Sequence, residues 1–473
     1  MRTSTTLAVA STLLGANAIN LVKRTDGPPR VIEGTIQRRH VPDPVAHDRN
    51  RLRKRDNTLA VTLDNEETLY FMNASIGTPA QDFRLHLDTG SSDLWVNVAD
   101  SQICQSQNSG CSISGTYDAN SSSTYTYLNN NFNITYQDGS GASGDYVSDV
   151  VTFGGVSIDN QQFGIGYQSS SAQGIMGIGY PINEVAVVYN GGHPYANVPQ
   201  SLLNDGQIAT KAYSLWLNDL DASTGSILFG GVNQDKYTGS LQTLPIVKEQ
   251  GVYAEFIIAL TAVGMNGTDG SIKKNMAAPA LLDSGSSLMY LPDDVASDIY
   301  DQIGAQYDSS QGAAFVDCDL ANSDATIDFT FSSPTIRVAM NELVIIAGVS
   351  RGQPICILGI GPAGDSTPVL GDTFLRSAYV VYDMTNNEIS LAQTNFNSTS
   401  NNILEITNSS GVPDATVVQN AVTSVAVQSG GARIGDGSGG GTITIGGGAQ
   451  PTAPPGWNAA LLGAAGAAAL FAL

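Results

Sequence analysis

Two short segments of this 473-residue chain are near copies of each other. In each, an apolar run ends in an Asp that is followed by a hydroxyl residue, a Gly and another hydroxyl residue; the segments are Leu85 to Ser92, around Asp88, and Ala280 to Ser287, around Asp283. A buried strand that runs into a tight Gly turn presents such an Asp at its tip. A second apolar step follows each Asp, ending at Gly177 and Gly371, 89 and 88 positions later. This repeat predicts two similar lobes that each contribute one carboxylate to a shared site.

Two facing carboxyl groups that share one proton can catalyse hydrolysis. Like charges about 3 Å apart do not both ionise readily, so one pKa falls and the other rises. The ionised partner can take a proton from a bound water while the protonated partner donates to a carbonyl. The pair titrates as a unit, so the acid and base roles belong to Asp88 and Asp283 together. A single Asp-Thr-Gly is more often a plain turn, but a matched second copy argues against that interpretation.

From about residue 68 to 397 the chain resembles the pepsin-like aspartic proteases. The motifs that carry the resemblance are the entry strand with Ser75-Ile76-Gly77-Thr78-Pro79, Trp95 after the first Asp, the flap-like hairpin Ile134 to Ser140, the end of the first lobe at Phe229-Gly230-Gly231, and Leu370 to Arg376. Departures from the family pattern are small: Ser284 replaces the commoner Thr, and Gln137 replaces a usual flap Gly.

The resemblance implies an all-β fold with a few short helices, in which two β-barrel lobes enclose a cleft. It implies that Asp88 and Asp283 are catalytic and that no metal or cofactor is needed. The substrate-binding residues it implies are Gly90, Gly285, Ser91, Ser286, Trp95, Tyr136 and Asp138. In this pattern Ser91 and Ser286 bond to the outer carboxylate oxygens, Tyr136 closes the flap over the substrate, and Trp95 supports Tyr136.

Asp138 bears on specificity. It lies two residues after the flap Tyr, and in fungal relatives an Asp there accompanies tolerance of Lys or Arg before the scissile bond. A carboxylate in a partly desolvated pocket favours a cation. The alternative is a solvated Asp in a hairpin turn.

The N-terminal residues predict export and processing. Arg2, an apolar stretch from Leu7 to Leu14 and Ala16-Asn17-Ala18 fit a signal peptide over residues 1–18. Residues 19–55 are rich in Pro and Arg and end in Lys54-Arg55. We interpret them as a propeptide that covers an acidic cleft and inhibits it; the alternative is a disordered basic linker. The two lobes are then assigned to residues 56–238 and 239–397.

The C-terminal residues predict a surface anchor. Residues 398–448 are dominated by Ser, Thr, Asn and Gly, which predicts a flexible stalk. Small residues at 446–448, a spacer and the uncharged run Ala459 to Leu473 fit a glycosylphosphatidylinositol (GPI) signal over residues 449–473. A short transmembrane helix is the alternative. The predicted location is the cell surface, at the plasma membrane or transferred to the wall.

The four Cys and six glycosylation sequons also fit a secreted chain. The lobes and the resemblance both imply the disulfides Cys104–Cys111 and Cys318–Cys356, and a zinc site lacks the usual paired spacing. The sequons begin at Asn73, Asn120, Asn133, Asn266, Asn397 and Asn408.

Charge and composition restrict the partners. The first 55 residues carry 11 basic and 4 acidic side chains, so about −29 falls on the remainder of a chain whose net charge is −22. This argues against nucleic acid and suits an acidic milieu. Polypeptide substrates, the propeptide and a membrane lipid are the expected partners of a monomer. The Gly-x-Ser-x-Gly match at 348–352 is not a serine hydrolase site, because no His follows Ser350.

Two functions from other classes use parts of the same evidence. A catalytically silent binding protein on the same fold would be expected to have lost one Asp or the flap Tyr, and all three are present. A structural glycoprotein of the cell wall would explain the stalk and anchor but not the duplicated Asp segments.

Secondary structure patterns predict strands at 149–153, 254–258 and 378–382 and a helix from Pro292 to Gln306.

Overall fold

The structure, a computed structural model, describes residues 30–39, 69–105, 110–136, 140–189, 191–222, 224–350, 353–407 and 411–427. Several features predicted from the sequence lie outside these ranges: the signal peptide, the dibasic pair Lys54-Arg55, Asp138, Asn408 and the anchor signal. Within the described residues, strands dominate and the helices are few and short, so the prediction of a mainly β fold is confirmed.

The strands of the described residues fall into two groups, one for each lobe, that meet near Tyr237. The first group is β1 (Ile32–Arg39), β2 (Leu69–Ile76), β3 (Gln81–Asp88), β4 (Leu94–Asn97), β5 (Thr126–Thr135), β6 (Gly141–Phe153), β7 (Val156–Ser169), β8 (Ile175–Gly177), β9 (Ala212–Trp216), β10 (Thr224–Phe229) and β11 (Gly231–Asn233).

The second group begins with the strand at the lobe boundary. It comprises β12 (Tyr237–Pro245), β13 (Ile257–Leu260), β14 (Ala262–Met265), β15 (Thr268–Lys273), β16 (Ala278–Leu282), β17 (Met289–Leu291), β18 (Gln306–Asp308), β19 (Ala313–Val316), β20 (Thr326–Thr330), β21 (Thr335–Ala339), β22 (Val344–Ser350), β23 (Gln353–Leu358), β24 (Ile360–Pro362), β25 (Val369–Leu370), β26 (Ala378–Asp383), β27 (Glu388–Thr394), β28 (Ile403–Glu405) and β29 (Thr416–Val417).

Short helices connect the strands. The α-helices are α1 (Cys111–Ser114), α2 (Ala186–Tyr189), α3 (Val198–Asn204), α4 (Asp293–Ile303), α5 (Met340–Leu343) and α6 (Asp372–Leu375), and 3-10 turns occupy Ala119–Ser121, Pro181–Asn183, Gln234–Lys236 and Cys318–Asn322. The predicted helix corresponds to α4, which ends earlier than expected because Gly304 turns left-handed at φ +75°. Among the described residues, no helix combines the length and apolar character needed to cross a bilayer.

One large sheet joins the two lobes. Its strand order is β29-β12-β27-β26-β9-β10-β1-β2-β3-β8-β4-β7-β6-β5, so strands from both halves of the chain share it. Smaller sheets complete the second lobe, in the orders β13-β16-β25-β17-β24, β15-β14-β20-β21 and β18-β19-β23-β22. The largest cluster of buried apolar side chains extends through both lobes, from Leu87 and Phe163 to Leu282 and Phe374.

The duplicated segments have the same topology in both lobes. Strand β3 pairs in parallel with β8, which places Asp88 opposite Gly177. Strand β16 pairs in parallel with β25 and ends one residue before Asp283. A Cβ on Gly177 would lie 2.7 Å from backbone atoms of Ser92 and Asp93, and one on Gly371 would lie 2.3 Å from the carbonyl of Ser286. The repeated Gly therefore lets the backbone pass directly behind each Asp turn.

Strand β1, from the predicted propeptide, lies inside the large sheet. It pairs with β10 through six residue positions and with β2 through four. Ile32 and Ile36 are buried in the main core. At its start, the Arg30 guanidinium lies 3.2 Å from the carboxylate of Glu405. This part of the predicted propeptide is an interior strand of the fold.

The folded second lobe extends beyond residue 397, where the sequence analysis placed its end. Strand β28 pairs with β11, and β29 pairs in parallel with β12. Ile406 is fully buried, and Val412 and Val418 are nearly so. Alternating apolar residues within a Ser- and Asn-rich segment supply these contacts, and composition averaged over the whole tail hides them. The described residues between 398 and 427 therefore pack on the body of the fold, where the sequence analysis expected a stalk.

Candidate active site

Each Asp turn holds its own carboxylate in the same way. Asp88 is fully buried, and its oxygens accept hydrogen bonds from the Ser91 hydroxyl at 2.5 Å and from the Gly90 amide at 2.9 Å. Asp283 is 4% exposed and accepts from the Ser286 hydroxyl at 2.7 Å and from the Gly285 amide at 2.8 Å. Four donors therefore hold two carboxylates in matching orientations.

The two carboxylates meet at Gly90. A Cβ built on Gly90 would lie 2.5 Å from Oδ1 of Asp283. The amide of the same residue donates to Asp88. The close approach of the second carboxylate explains why this position has no side chain. The structure thus brings together the two Asp residues that the sequence repeat predicted to share a site.

Reciprocal hydrogen bonds lock the two turns together behind the carboxylates. The Thr89 hydroxyl donates to the carbonyl of Leu282 and accepts from the Ser284 amide, both at 2.9 Å. The Ser284 hydroxyl donates to the carbonyl of Leu87 at 2.9 Å and accepts from the Thr89 amide at 3.2 Å. Sequence reasoning did not assign this role to Thr89 and Ser284. The signal was visible, because both copies of the motif carry a hydroxyl residue directly after the Asp.

A hairpin of β5 and β6 lies beside this centre. The Tyr136 amide donates to the carbonyl of Ser140 at 2.8 Å and closes the base of the hairpin tip, residues 137–139, which lies outside the described ranges. The buried Trp95 indole donates to the Tyr136 hydroxyl at 2.7 Å. A donor fixed in the lobe core therefore sets the position of a half-buried Tyr on the hairpin, and both are residues that the sequence analysis selected.

Two buried carboxylates, brought together by matching turns, are the arrangement expected for acid proteolysis. The model of the family described as eukaryotic aspartyl protease matches residues 69–394. The chain belongs to this family. It is an aspartic-type endopeptidase, as its family and its similar relatives indicate.

The protease is similar to several fungal proteins. A probable aspartic-type endopeptidase opsB of Aspergillus oryzae is 56% identical over 431 residues, which cover 89% of this chain and 88% of the relative. Candidapepsin-1 of Candida albicans is 42% identical over 72% of this chain and 85% of its own length. The crystal structure of an aspartic proteinase from Irpex lacteus gives a TM-score of 0.59 at 23% identity, over 78% of this chain and 100% of that one, which shows the shared fold.

An apolar cluster lies under the hairpin of the protease. Its members come from β4, β5, β6, β8 and the start of α2 and are Trp95, Phe132, Ile134, Ala142, Tyr146, Ile175, Val185 and Ala186, with Tyr136 and Tyr195 partly buried against them. Aromatic rings in the cluster contact each other, and Phe132 and Tyr146 do so edge to face at 5.3 Å. This packing supports strands β5 and β6 of the hairpin.

Two buried carboxyl groups lie behind that cluster. Asp93 accepts hydrogen bonds from the Tyr146 hydroxyl at 2.7 Å, the Val185 amide at 2.9 Å and the Tyr195 hydroxyl at 3.1 Å. Burial, with repulsion from Asp93, raises the pKa of Glu184 to about 11. Glu184 is therefore neutral at every pH at which an acid protease works. Sequence reasoning missed both groups, which meet across about ninety residues of chain.

A buried ion pair supports the second turn from behind. The Arg376 guanidinium is fully buried and lies 2.5 Å from the Glu342 carboxylate. Arg376 follows α6, whose first residue, Asp372, donates its amide to the carbonyl of Ser286 at 2.8 Å. The segment around Leu370 to Arg376, expected from the sequence to cross behind the second Asp, is thus attached to that turn by hydrogen bonds.

Both predicted disulfides are present in the protease. Cys104 is bonded to Cys111 and Cys318 to Cys356, each within one lobe. The second bond ties the 3-10 turn at Cys318–Asn322 to strand β23.

Proposed function

We propose that Asp88 and Asp283 bind one water molecule between them and activate it to attack the substrate peptide bond directly, without an acyl-enzyme. The observation that carries this proposal is the approach of Asp283 to Gly90, whose amide holds Asp88. One carboxyl removes a proton from the water while the other donates to the carbonyl oxygen. Ser91 and Ser286 keep the inner faces of the carboxylates aligned, and Gly90 and Gly285 leave room for the substrate.

The proposed role of the hairpin is to cover the bound peptide. Tyr136 would close over the scissile bond, and the hydrogen bond from Trp95 would orient it. Closure removes water from the cleft and strengthens the electrostatic interactions in it.

The test is cleavage of a denatured protein at acid pH by the processed enzyme. Asp88→Asn and Asp283→Asn should each lower kcat by at least about a thousandfold, the scale of lost acid–base catalysis. Asp82→Asn is the matched control, because Asp82 is exposed on the same strand as Asp88. A statine-type inhibitor should block the wild type. Residual activity near the wild-type level in either Asn variant would refute the assignment.

We infer that residues 19–55 act as an inhibitory propeptide that is removed after Arg55. The basic charge of this segment, opposite to that of the body, supports the proposal. So do the extensive pairing of β1 and the contact of Arg30 with Glu405. A precursor with Lys54→Ala and Arg55→Ala should remain largely inactive at neutral pH. Full activity of the uncut precursor would contradict an inhibitory role.

We further propose that the protease is exported and held at the cell surface by a GPI lipid. The signal-like N-terminus and the uncharged C-terminal run support this. Among the sequons, Asn73, Asn120, Asn133, Asn266 and Asn397 are exposed, as glycosylation requires. A phosphatidylinositol-specific phospholipase should release activity from intact cells. Activity that stays with the membrane after this treatment and after wall digestion would favour a transmembrane tail.

Tolerance of a basic residue before the scissile bond is the proposed contribution of Asp138. Because a carboxylate attracts a cation most strongly when both lose water, Asp138→Ser should lower the ratio of cleavage after Lys to cleavage after Leu. The measurement is kcat/KM on two peptides that differ only at that position. An unchanged ratio would leave Asp138 as a solvated turn residue.

A further inference from the structure

His86 occupies a buried position beside the catalytic centre. It is 4% exposed, lies two residues before Asp88 on β3, and its Nε2 atom is 3.3 Å from the carbonyl oxygen of Ser284 in the other lobe. Since a carbonyl only accepts, the Nε2–H of His86 donates. We propose that His86 is a positioning residue for Asp283, acting through the Ser284–Gly285 peptide.

The peptide unit explains how this contact reaches the carboxylate. The carbonyl of Ser284 and the amide of Gly285 belong to one planar trans unit and point in opposite directions. His86 holds the oxygen end, and the amide end donates to Oδ1 of Asp283 at 2.8 Å. Fixing one end of a rigid plane fixes the other, and hydrogen bonds in a chain strengthen each other.

The contact breaks the symmetry between the two lobes. The hydroxyls of Thr89 and Ser284 exchange equivalent bonds. The position that corresponds to His86 in the second motif is Leu281, which has no donor. His86 therefore holds the peptide of the second turn through a hydrogen bond. Leu281 offers no matching side-chain bond to the first turn.

The donor is available throughout the working range of the enzyme. Both the imidazolium and the neutral tautomer with a proton on Nε2 can donate to a carbonyl. The ring also packs on Phe71, its neighbour on β2, with centroids 5.6 Å apart. This packing fixes the ring beside the lobe interface independently of its charge.

Two variants separate the hydrogen bond from the packing. His86→Leu removes the donor and copies the residue found at the second-lobe position. Because a neutral hydrogen bond is worth about one factor of ten, kcat should fall about tenfold while KM stays within about twofold. His86→Gln retains an N–H donor and should keep kcat within about fivefold of the wild type. His193→Gln, at an exposed His, is the control and should behave as the wild type.

The result is decisive in either direction. Wild-type kcat in a folded His86→Leu enzyme would overturn the inference, as would a loss in His86→Gln equal to that in His86→Leu. If His86→Leu does not fold, the Gln variant decides: kcat within about fivefold of wild type supports the inference, and a larger loss refutes it. The inference rests on the proposed role of Asp283. Failure of that role would appear separately, as activity in Asp283→Asn.

Discussion

Burial decides the charge of Glu184, and this single residue links folding to pH. Its ordinary pKa of 4.5 rises to about 11 in the folded protease, mainly through loss of solvation and further through Asp93. The folded state therefore keeps a proton that the unfolded chain releases above about pH 4.5. Unfolding releases this proton, so rising pH favours unfolding. The stabilisation is complete below pH 4.5 and falls as the pH rises toward 11.

Replacing Glu184 with Gln should weaken this dependence. At about 1.4 kcal/mol per pH unit, the wild type should lose up to about 3 kcal/mol between pH 4.5 and pH 7 through this residue. Glu184→Gln, neutral in both states, should lose correspondingly less. The measurement is the free energy of urea unfolding at the two pH values. Glu33→Gln, at an exposed Glu of β1, should leave the difference unchanged.

An identical pH dependence in the Glu184→Gln and wild-type proteins would show that other groups cause it.

At the scale of single residues, the sequence predicted the residues that repeat: Asp88, Asp283, Ser91 and Ser286. It did not predict Glu184, Asp93 or the Arg376–Glu342 pair. All four are ionisable side chains that become buried through partners distant in the chain.

At the level of elements, the strands show how much of the secondary structure the local sequence pattern can predict. The apolar run at 378–382 is strand β26, and the run at 149–153 is the end of the much longer β6. The run at 254–258 was predicted too early, since β13 begins at Ile257, opposite Leu281. β-branched residues indicate where a strand can form, but the neighbouring strand determines where pairing starts.

The two disulfides should differ in their effect on stability. Cys318–Cys356 closes a loop of sequence separation 38 and Cys104–Cys111 one of 7. Chain entropy then gives about 4 kcal/mol for the longer loop and about 2.4 kcal/mol for the shorter. Paired Ser variants of each bond, compared by chemical unfolding at acid pH, should show this order. The reverse order would mean that native-state packing around the shorter loop outweighs the entropy of loop closure.

Over the whole molecule, the repeat in the sequence predicted the bilobal plan but not its limits. Two Asp turns with nearly equal Gly spacing indicate two similar halves, and β3–β8 and β16–β25 provide them. The end of the second lobe was set too early, because Ser and Asn between residues 398 and 427 resemble linker composition. Three buried aliphatic residues, Ile406, Val412 and Val418, pack that segment on the body, together with the pairing of β28 and β29.

Truncation should locate the true boundary. A form that ends at Val427 should melt at the same temperature as one that ends at Gly448. A form that ends at Asn397 loses Ile406, Val412 and Val418, each worth about 1.5–3 kcal/mol of burial. It should therefore melt several degrees lower and be cleaved faster by an added protease. Equal melting temperatures would show that the segment 398–427 adds nothing to the stability of the body.

Strand β1 gives the timing of activation a physical basis. If the chain is cut after Arg55 as proposed, a peptide that lies between β10 and β2 would not detach like a surface ligand. Its ten residue pairings and two buried Ile side chains would retain it, so the new enzyme would begin as a two-chain complex. The enzyme would then stay inactive after the cut for as long as the peptide remains bound. Dilution would therefore activate it more effectively than further proteolysis.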